Sequence, residues 1–402
     1  MQTQLNVAID VGSVMHRVAI GLGTGAAIDE FDCPHTPVGI GQFFTRVRHH
    51  KEKHGATVSV AMEGFGGYAR PLDNQILAQG WQLYAINNLK FARFKEIFPA
   101  PAKTDAIDAK RMLQLMQVRE DQPVARAVLQ EVAPIDDTHQ QLKALTRRRK
   151  LMVEERTEVS LRMQAELLAV APGLLAITGR ADNLWFLNFL TCRADLRKLA
   201  TVRHSTLLQI EGIGVKFAAQ IARWQESATF APSVEWAGVM ILEDAKRMLA
   251  LRARIDALDR QIAGVAEQSA IAKRLQSMPG FGVITASEVA SEIGNIDRFR
   301  NEASLAVYLG VAPLDKSSGK RTSAKLPRQV NPRARNALLI ATIQHMRQVP
   351  ESRAFYDRKR EQGKSHMQAT RALARHLVRV IFAMIKNDRD YRINAPKTSE
   401  KA

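Results

Sequence analysis

An α/β amino-terminal domain followed by an all-helical remainder is the fold class predicted for this chain, and three observations predict it. Short apolar runs bounded by glycine or polar turns alternate with helical periods over residues 5–118. From about Gln130 the composition becomes charged and helical. At 402 residues the chain is long enough for two or three domains with their own cores.

Residues 5–10, 16–22 and 27–33 read as three short strands in a meander. A helix is expected near 39–54, then a strand over 57–62 that ends on Glu63. A helix over about 68–79, a strand over 82–86, and helices after Asn87 and Thr104 complete the region. Three meander strands followed by α-β-α-β-α is the order of the ribonuclease H-like fold. The expected domains are 1–122 (acid-bearing), 123–270 (a helical arm region), 271–388 (a basic helical domain) and a flexible tail over 389–402.

In the arm region Leu145, Met152 and Val159 recur every seven residues, with Arg149 and Arg156 interrupting the seam. Met248, Leu251, Ile255, Leu258, Ile262 and Val265 alternate by three and four. They suit two arms of an antiparallel hairpin, half of an intermolecular coiled coil, or ordinary amphipathic helices. Ile210 to Val215 looks like a helix–glycine–helix turn, and Met278-Pro279-Gly280-Phe281-Gly282-Val283 resembles a helix-hairpin-helix turn. Glycines such as Gly280 and Gly282 would let backbone N–H groups approach a phosphate, although a plain connector fits as well.

Four carboxylates carry the chemistry: Asp10 and Glu63 at strand ends, Asp105 and Asp108 at the start of a helix. Singly, Asp10 could form a turn, and Asp105 and Asp108 could cap a helix and complement its dipole. Glu63 directly follows an apolar strand, where capping does not explain it. The i, i+3 spacing places Asp105 and Asp108 on one helical face. Four converging hard oxygen donors can hold two divalent cations, the apparatus for displacement at a phosphodiester.

The composition points to the same substrate class. Lys+Arg number 58 against 40 Asp+Glu, a net charge of +18, which favours a polyanion such as DNA. From Lys316 through Asn336 there are seven Lys/Arg and no acid. Cys33 and Cys192 are too few for a disulfide framework or a zinc site. Met1-Gln2-Thr3-Gln4 lacks a leader's basic and apolar regions, and no apolar stretch reaches membrane length. A cytoplasmic, nucleoid-associated protein without a membrane is expected.

These residues resemble the DEDD-class insertion-sequence transposases, the family that includes the Piv DNA invertase. The Asp10 strand, Glu63-Gly64 and Lys103-Thr104-Asp105-x-x-Asp108-Ala109 are similar to its RuvC-like domain. Pro279-Gly280-x-Gly282, Tyr308-Leu309-Gly310-x-x-Pro313 and Ser318-Gly319-Lys320 resemble its carboxyl-terminal transposase domain. The resemblance implies that Asp10, Glu63, Asp105 and Asp108 bind Mg²⁺, with Mn²⁺ as a substitute. It implies a serine nucleophile, Ser318 before Ser317, that forms a transient covalent link to DNA. It further implies assembly between protomers, as a dimer or tetramer, and in some members a guide RNA from the element's noncoding end. Lys316, Lys320, Arg321, Lys325, Arg328, Arg333 and Arg335 are expected to hold phosphates. Lys320 and Asn331-Pro332 depart from the family pattern around the serine. The alternatives are a RuvC-like nuclease in which water attacks, a nucleic-acid scaffold, and an actin-like or sugar-kinase-fold ATPase built on Asp10-Val11-Gly12-Ser13.

Overall fold

The computed structural model describes residues 3–23, 26–64, 67–97, 105–119, 128–312, 314–318, 321–325 and 330–392. The side chains of Asp105 and of residues 314–318 and 321–325 lie outside this description. The chain divides into two compact units, Met1–Pro134 and Ile135–Ala402.

The first unit is built on a sheet of order β3-β2-β1-β4-β5-β6. Its strands are β1 (Gln4–Val11), β2 (Met15–Leu22), β3 (Ala27–Pro34), β4 (Thr57–Met62), β5 (Gln82–Ile86) and β6 (Leu129–Glu131). β1, β2 and β3 pair antiparallel, β1, β4 and β5 pair parallel, and β6 returns antiparallel on β5. Helices α1 (Pro37–His54), α2 (Arg70–Ala78), α3 (Asn88–Lys95) and α4 (Asp105–Gln117) connect or cover the strands. Helix α1 starts cleanly because Thr36 accepts from the Gly39 N–H and Pro37 opens the first turn. It stops at Gly55, whose φ of 55° suits the left-handed cap.

Alternation along β1 assigns its two faces. Leu5, Val7 and Ile9 pack with Phe43, Phe44 and Val47 of α1 and with Leu72 and Ile76 of α2. Ala8 faces the other way and packs with Ala109, Met112 and Leu113 of α4. Ala8 pairs with Ala19 of β2 and with Ala61 of β4, so three alanines lie in one row across neighbouring strands. This low floor lets α4 lie close to the sheet. Gly21 extends it, since a Cβ there would stand 2.9 Å from Leu113 Cδ2.

Among the described residues, the second unit is helical apart from one hairpin. A long helix, α5 (Asp137–Val170), is followed by α6 (Leu184–Thr191), α7 (His204–Leu207), α8 (Val215–Glu226) and a second long helix, α9 (Val234–Ala266). Then come α10 (Ala270–Gln276), α11 (Val283–Ile293), α12 (Glu302–Tyr308), the hairpin β7 (Leu314–Ser318) and β8 (Arg321–Lys325), and finally α13 (Pro332–Gln348), α14 (Pro350–Glu361) and α15 (His366–Lys386).

The hairpin reading of the arms matches the packing. Helices α5 and α9 run antiparallel along each other, with Arg149 bound to Asp259, Glu155 to Arg247 and Arg162 to Asp244. Met248, Leu251, Ile255, Leu258, Ile262 and Val265 are all buried, as the three-four alternation predicts. Two cores result. One gathers Val159 to Val170 of α5 around Phe186, Phe189 and Trp224, and the other gathers α10, α11, α13 and α15.

Three local expectations change. Residues near Gln130, expected to open the long helix, form β6, and the helix begins at Asp137, where Asp136 accepts from the His139 N–H. A three-residue strand is too short to show a period. The stretch around Ser318, inside the expected basic helical domain, includes paired strands in which Ser318 stands opposite Arg321. The tail does not begin at residue 389: Tyr391 donates its N–H to Ser277 Oγ at 2.8 Å and sets its ring edge-on to His345. Residues 393–402 lie outside the described residues.

Candidate functional site

The acidic face follows from the strand register. Ile9 pairs with Met62, and the Glu63 N–H donates to the Ile9 carbonyl at 3.2 Å, so Asp10 and Glu63 are neighbours at the carboxyl ends of β1 and β4. Asp10 is two residues beyond Ala8, and Glu63 two beyond Ala61, which puts both acids on the face covered by α4. Along α4, Asp108 precedes Ala109 and Met112, which pack on the alanine row. Leu113 lies over Gly21, the partner of Asn6 near the start of β1. Helix α4 therefore runs from the carboxyl end of β1 towards its amino end, with Asp105 and Asp108 leading. Asp10, Glu63 and Asp108 share one end of one face, and α4 lies over it.

The electrostatics of that face are partly filled. Asp108 is buried, at 8% exposure, and its Oδ2 accepts from Lys95 Nζ at 2.7 Å. Arg17 pairs with Asp10 in register, but its guanidinium reaches Glu30 and Asp32 of β3. Lys110 of α4 also reaches Glu30, at 3.0 Å. Among the described side chains, no group of three or more metal-ligating residues stands close enough to hold an ion. Asp105, the fourth donor of the expected set, has its side chain outside the description. The donor chemistry, carboxylate oxygens on one face, fits a hard divalent cation.

In the second unit, Gly280 and Gly282 have separate reasons. Gly280 has φ +83°, and a Cβ there would stand 2.3 Å from the His345 backbone nitrogen, so its bareness lets α13 pack against the turn. His345 completes the contact by donating from Nδ1 to the Pro279 carbonyl at 2.7 Å. Burial holds its imidazole below the usual histidine range. Gly282 instead caps α11 in extended geometry with open space around it, so the first N–H groups of α11 remain approachable.

Ser317 and Ser318 end β7, while Gly319 and Lys320 lie outside the described residues. Lys316, Arg321 and Lys325 belong to the hairpin strands, but their side chains, like all of Arg328, also fall outside. Residues on either side of the hairpin meet at its base. The Asn331 N–H donates to the Tyr308 carbonyl at 2.8 Å, and Gly310 leaves room for Val330 and the Arg335 stem. Arg333 and Arg335 follow in the first turn of α13, half-buried beside this base.

Sequence reasoning missed the acid that organises this base. Glu292 is 2% exposed on α11, where Arg147 of α5 donates to Oε1 and Oε2 at 2.8 and 3.0 Å. Asn331 Nδ2 donates to Oε2 at 2.7 Å. Burial pushes the Glu292 carboxyl up, but the Arg147 hydrogen bonds, the Lys143 charge and Asn331 outweigh it and hold it below the usual range. A charged residue inside the apolar run 283–293 was the available signal.

Comparison with known proteins identifies the family. A transposase family of the DEDD IS110 type matches residues 7–172, and the transposase IS116/IS110/IS902 family matches residues 272–357. The IS900 insertion-element 42 kDa protein of Mycobacterium paratuberculosis is 30% identical over 365 residues, covering 87% of both chains. The IS110 insertion-element 43.6 kDa protein of Streptomyces coelicolor is 28% identical over 333 residues, 80% of each chain. A transposase of insertion sequence element IS1111A from Coxiella burnetii is 25% identical over 141 residues, 34% of this chain and 39% of its own length. The chain belongs to the IS116/IS110/IS902 family of insertion-sequence transposases.

Proposed function

We propose that this chain cuts and rejoins DNA at the ends of an insertion sequence, using divalent metal at Asp10, Glu63, Asp105 and Asp108 and a serine, Ser318, as nucleophile. The observation that carries the reading is the register of Asp10 beside Glu63, on the face that the leading turn of α4 shares. The strand order β3-β2-β1-β4-β5, antiparallel then parallel, supports a ribonuclease H-like, RuvC-like fold for the first unit. Family membership favours this over the ATPase and scaffold readings.

Mg²⁺ or Mn²⁺ at the acids would supply Lewis-acid stabilisation of charge on the phosphoryl oxygens. The protein's own groups do the rest. The Ser318 hydroxyl attacks phosphorus, a P–O bond to one strand breaks, and the leaving oxygen takes up a proton. The other strand end stays esterified to the serine until a strand hydroxyl displaces it. Lys316, Lys320, Arg321, Lys325 and Arg328 lie in the basic segment around the serine, and Arg333 and Arg335 follow its base; all are suited to neutralise phosphates. Gly282 leaves the α11 N-terminus available as a further phosphate contact. A homo-oligomer and an element-encoded guide RNA remain parts of the proposal drawn from the family resemblance.

Covalent trapping tests it. Purified protein is mixed with labelled DNA spanning its own element's ends, RNA from those ends and Mg²⁺, then denatured. A protein–DNA adduct that disappears in Ser318→Ala and persists in Ser317→Ala is expected. Cleavage without an adduct would make this a water-using metal nuclease.

A further inference from the structure

Asn331 uses every hydrogen-bonding direction of its amide. Its Oδ1 accepts from the Arg333 and Ala334 N–H groups, both at 3.1 Å, and so caps α13. Its Nδ2 donates to Glu292 Oε2 at 2.7 Å and to Tyr308 Oη at 2.8 Å. Tyr308 Oη donates in turn to the Glu292 carbonyl at 2.9 Å, and Arg298 reaches the same carbonyl at 2.8 Å while lying 4.5 Å above the Tyr308 ring. Tyr308 and Asn331 flank the segment that holds β7 and β8, one just before it and one just after. Glu292 therefore touches both sides of the hairpin base, and Arg147 fixes it to the long helix α5.

The charges around it have a clear hierarchy. Lys143 Nζ stands 3.8 Å from Glu292 Oε2, too far for a strong hydrogen bond. Glu288, one turn earlier on α11, lies among Lys150, Arg149 and Arg333, and burial pushes its carboxyl up. Arg147 and Asn331 bond directly to the Glu292 carboxylate. Breaking one partner of such a buried set leaves the others unsatisfied.

We propose that Glu292 is the positioning residue of the serine hairpin, locking its base to α5 through Asn331, Tyr308 and Arg147. This rests on the serine reading above. Glu292 touches no DNA in this role; it sets where the serine stands when the phosphate arrives. A glutamine at 292 would aim two amide protons at either Arg147 or Asn331, donor against donor. A simultaneous Asn331→Asp would restore an acceptor opposite them, keep the α13 cap and return one negative charge to the cluster.

The test uses full-length protein with labelled element-end DNA, RNA from those ends and Mg²⁺. It compares wild type, Glu292→Gln, Asn331→Asp, the double variant, Tyr308→Phe and Ser318→Ala. Glu292→Gln is expected to lower kcat by about 10- to 100-fold with KM and end binding within about twofold, as a displaced nucleophile would. The double variant is expected to regain at least about tenfold. Should Glu292→Gln fail to fold, Tyr308→Phe, which removes a single hydroxyl, is expected to show the same kcat-only loss at smaller size. An unchanged kcat in Glu292→Gln, or a double variant no better than the worse single, overturns the role. Ser318→Ala separates the two ideas. If it keeps adduct and cleavage, the serine reading falls and takes this role with it; if it loses them while Glu292→Gln keeps its kcat, only the positioning role falls.

Discussion

The Lys95 ammonium lies 2.7 Å from Asp108 Oδ2, so one of the candidate metal ligands already carries a counter-charge from the neighbouring helix. A divalent cation arriving at the acids must share Asp108 with Lys95 or displace it. Lys95→Met removes that competitor and is expected to tighten Mn²⁺ binding by about two- to fivefold, the scale of a partly exposed ion pair. Calorimetric titration of the purified protein measures it, and an affinity that weakens or stays level would contradict the shared site.

Asp10 has a structural alternative, since it stands just before the β1–β2 turn at Gly12. Its two roles separate cleanly in Asp10→Asn, which keeps the shape and a turn-forming side chain while removing the charge. Cleavage of element-end DNA is expected to fall by at least about 100-fold, with the melting temperature within a few degrees of wild type. Full activity in this variant would leave the acid a turn residue.

Gly280 and Gly282 should answer very unequally to the same substitution. Gly280→Ala forces a side chain against the α13 backbone at a φ that L-residues resist, an expected loss of about 3 kcal/mol. Gly282→Ala meets open space at φ −70° and is expected to cost less than about 1 kcal/mol. Chemical denaturation of both variants reads the difference. If Gly282→Ala nonetheless weakens DNA binding severalfold, the α11 N-terminus holds a phosphate.

His345 gives the fold a pH edge. It is fully buried, and among the described residues its Nε2 has no partner. Burial holds its folded-state pKa below the ordinary histidine value of about 6.5, so the unfolded chain takes up the proton first as pH falls. The stability it contributes is present above about pH 6.5 and is lost as pH drops through the lower, folded value. Melting curves between pH 5 and 8 should therefore flatten in His345→Gln relative to wild type. An identical pH dependence in the variant would show that other groups set the acid limb.

The places of the acids in the fold were legible because strand ends and a helix start announce themselves in apolar periods: Asp10 and Glu63 close apolar runs, and Asp105 and Asp108 open a helix. The arms were legible too, down to the seam from Met248 to Val265. β6 was not, since three residues carry no period, and its partner β5 lies more than forty positions earlier in the chain. Lys95 and Glu292 were also hidden. Each bonds a partner on another helix, Lys95 to Asp108 at a separation of 13 residues and Glu292 to Arg147 at a separation of 145. Gly280 was read for its freedom to approach a ligand, whereas its neighbour is the protein's own helix α13.

Helix α5 contains no glycine or proline between Asp137 and Val170. Sharp bends in helices need such residues or an inserted group, so this one has no built-in hinge. Arg147, in its first third, bonds Glu292 at the base of the serine hairpin, and Val159, Met163, Leu167 and Val170 towards its far end are buried in the other helical core. At about 1.5 Å per residue, Arg147 and Val170 are about 35 Å apart. If Glu292 positions the serine as proposed, a hingeless rod over that span would carry any shift of the far core to the hairpin base.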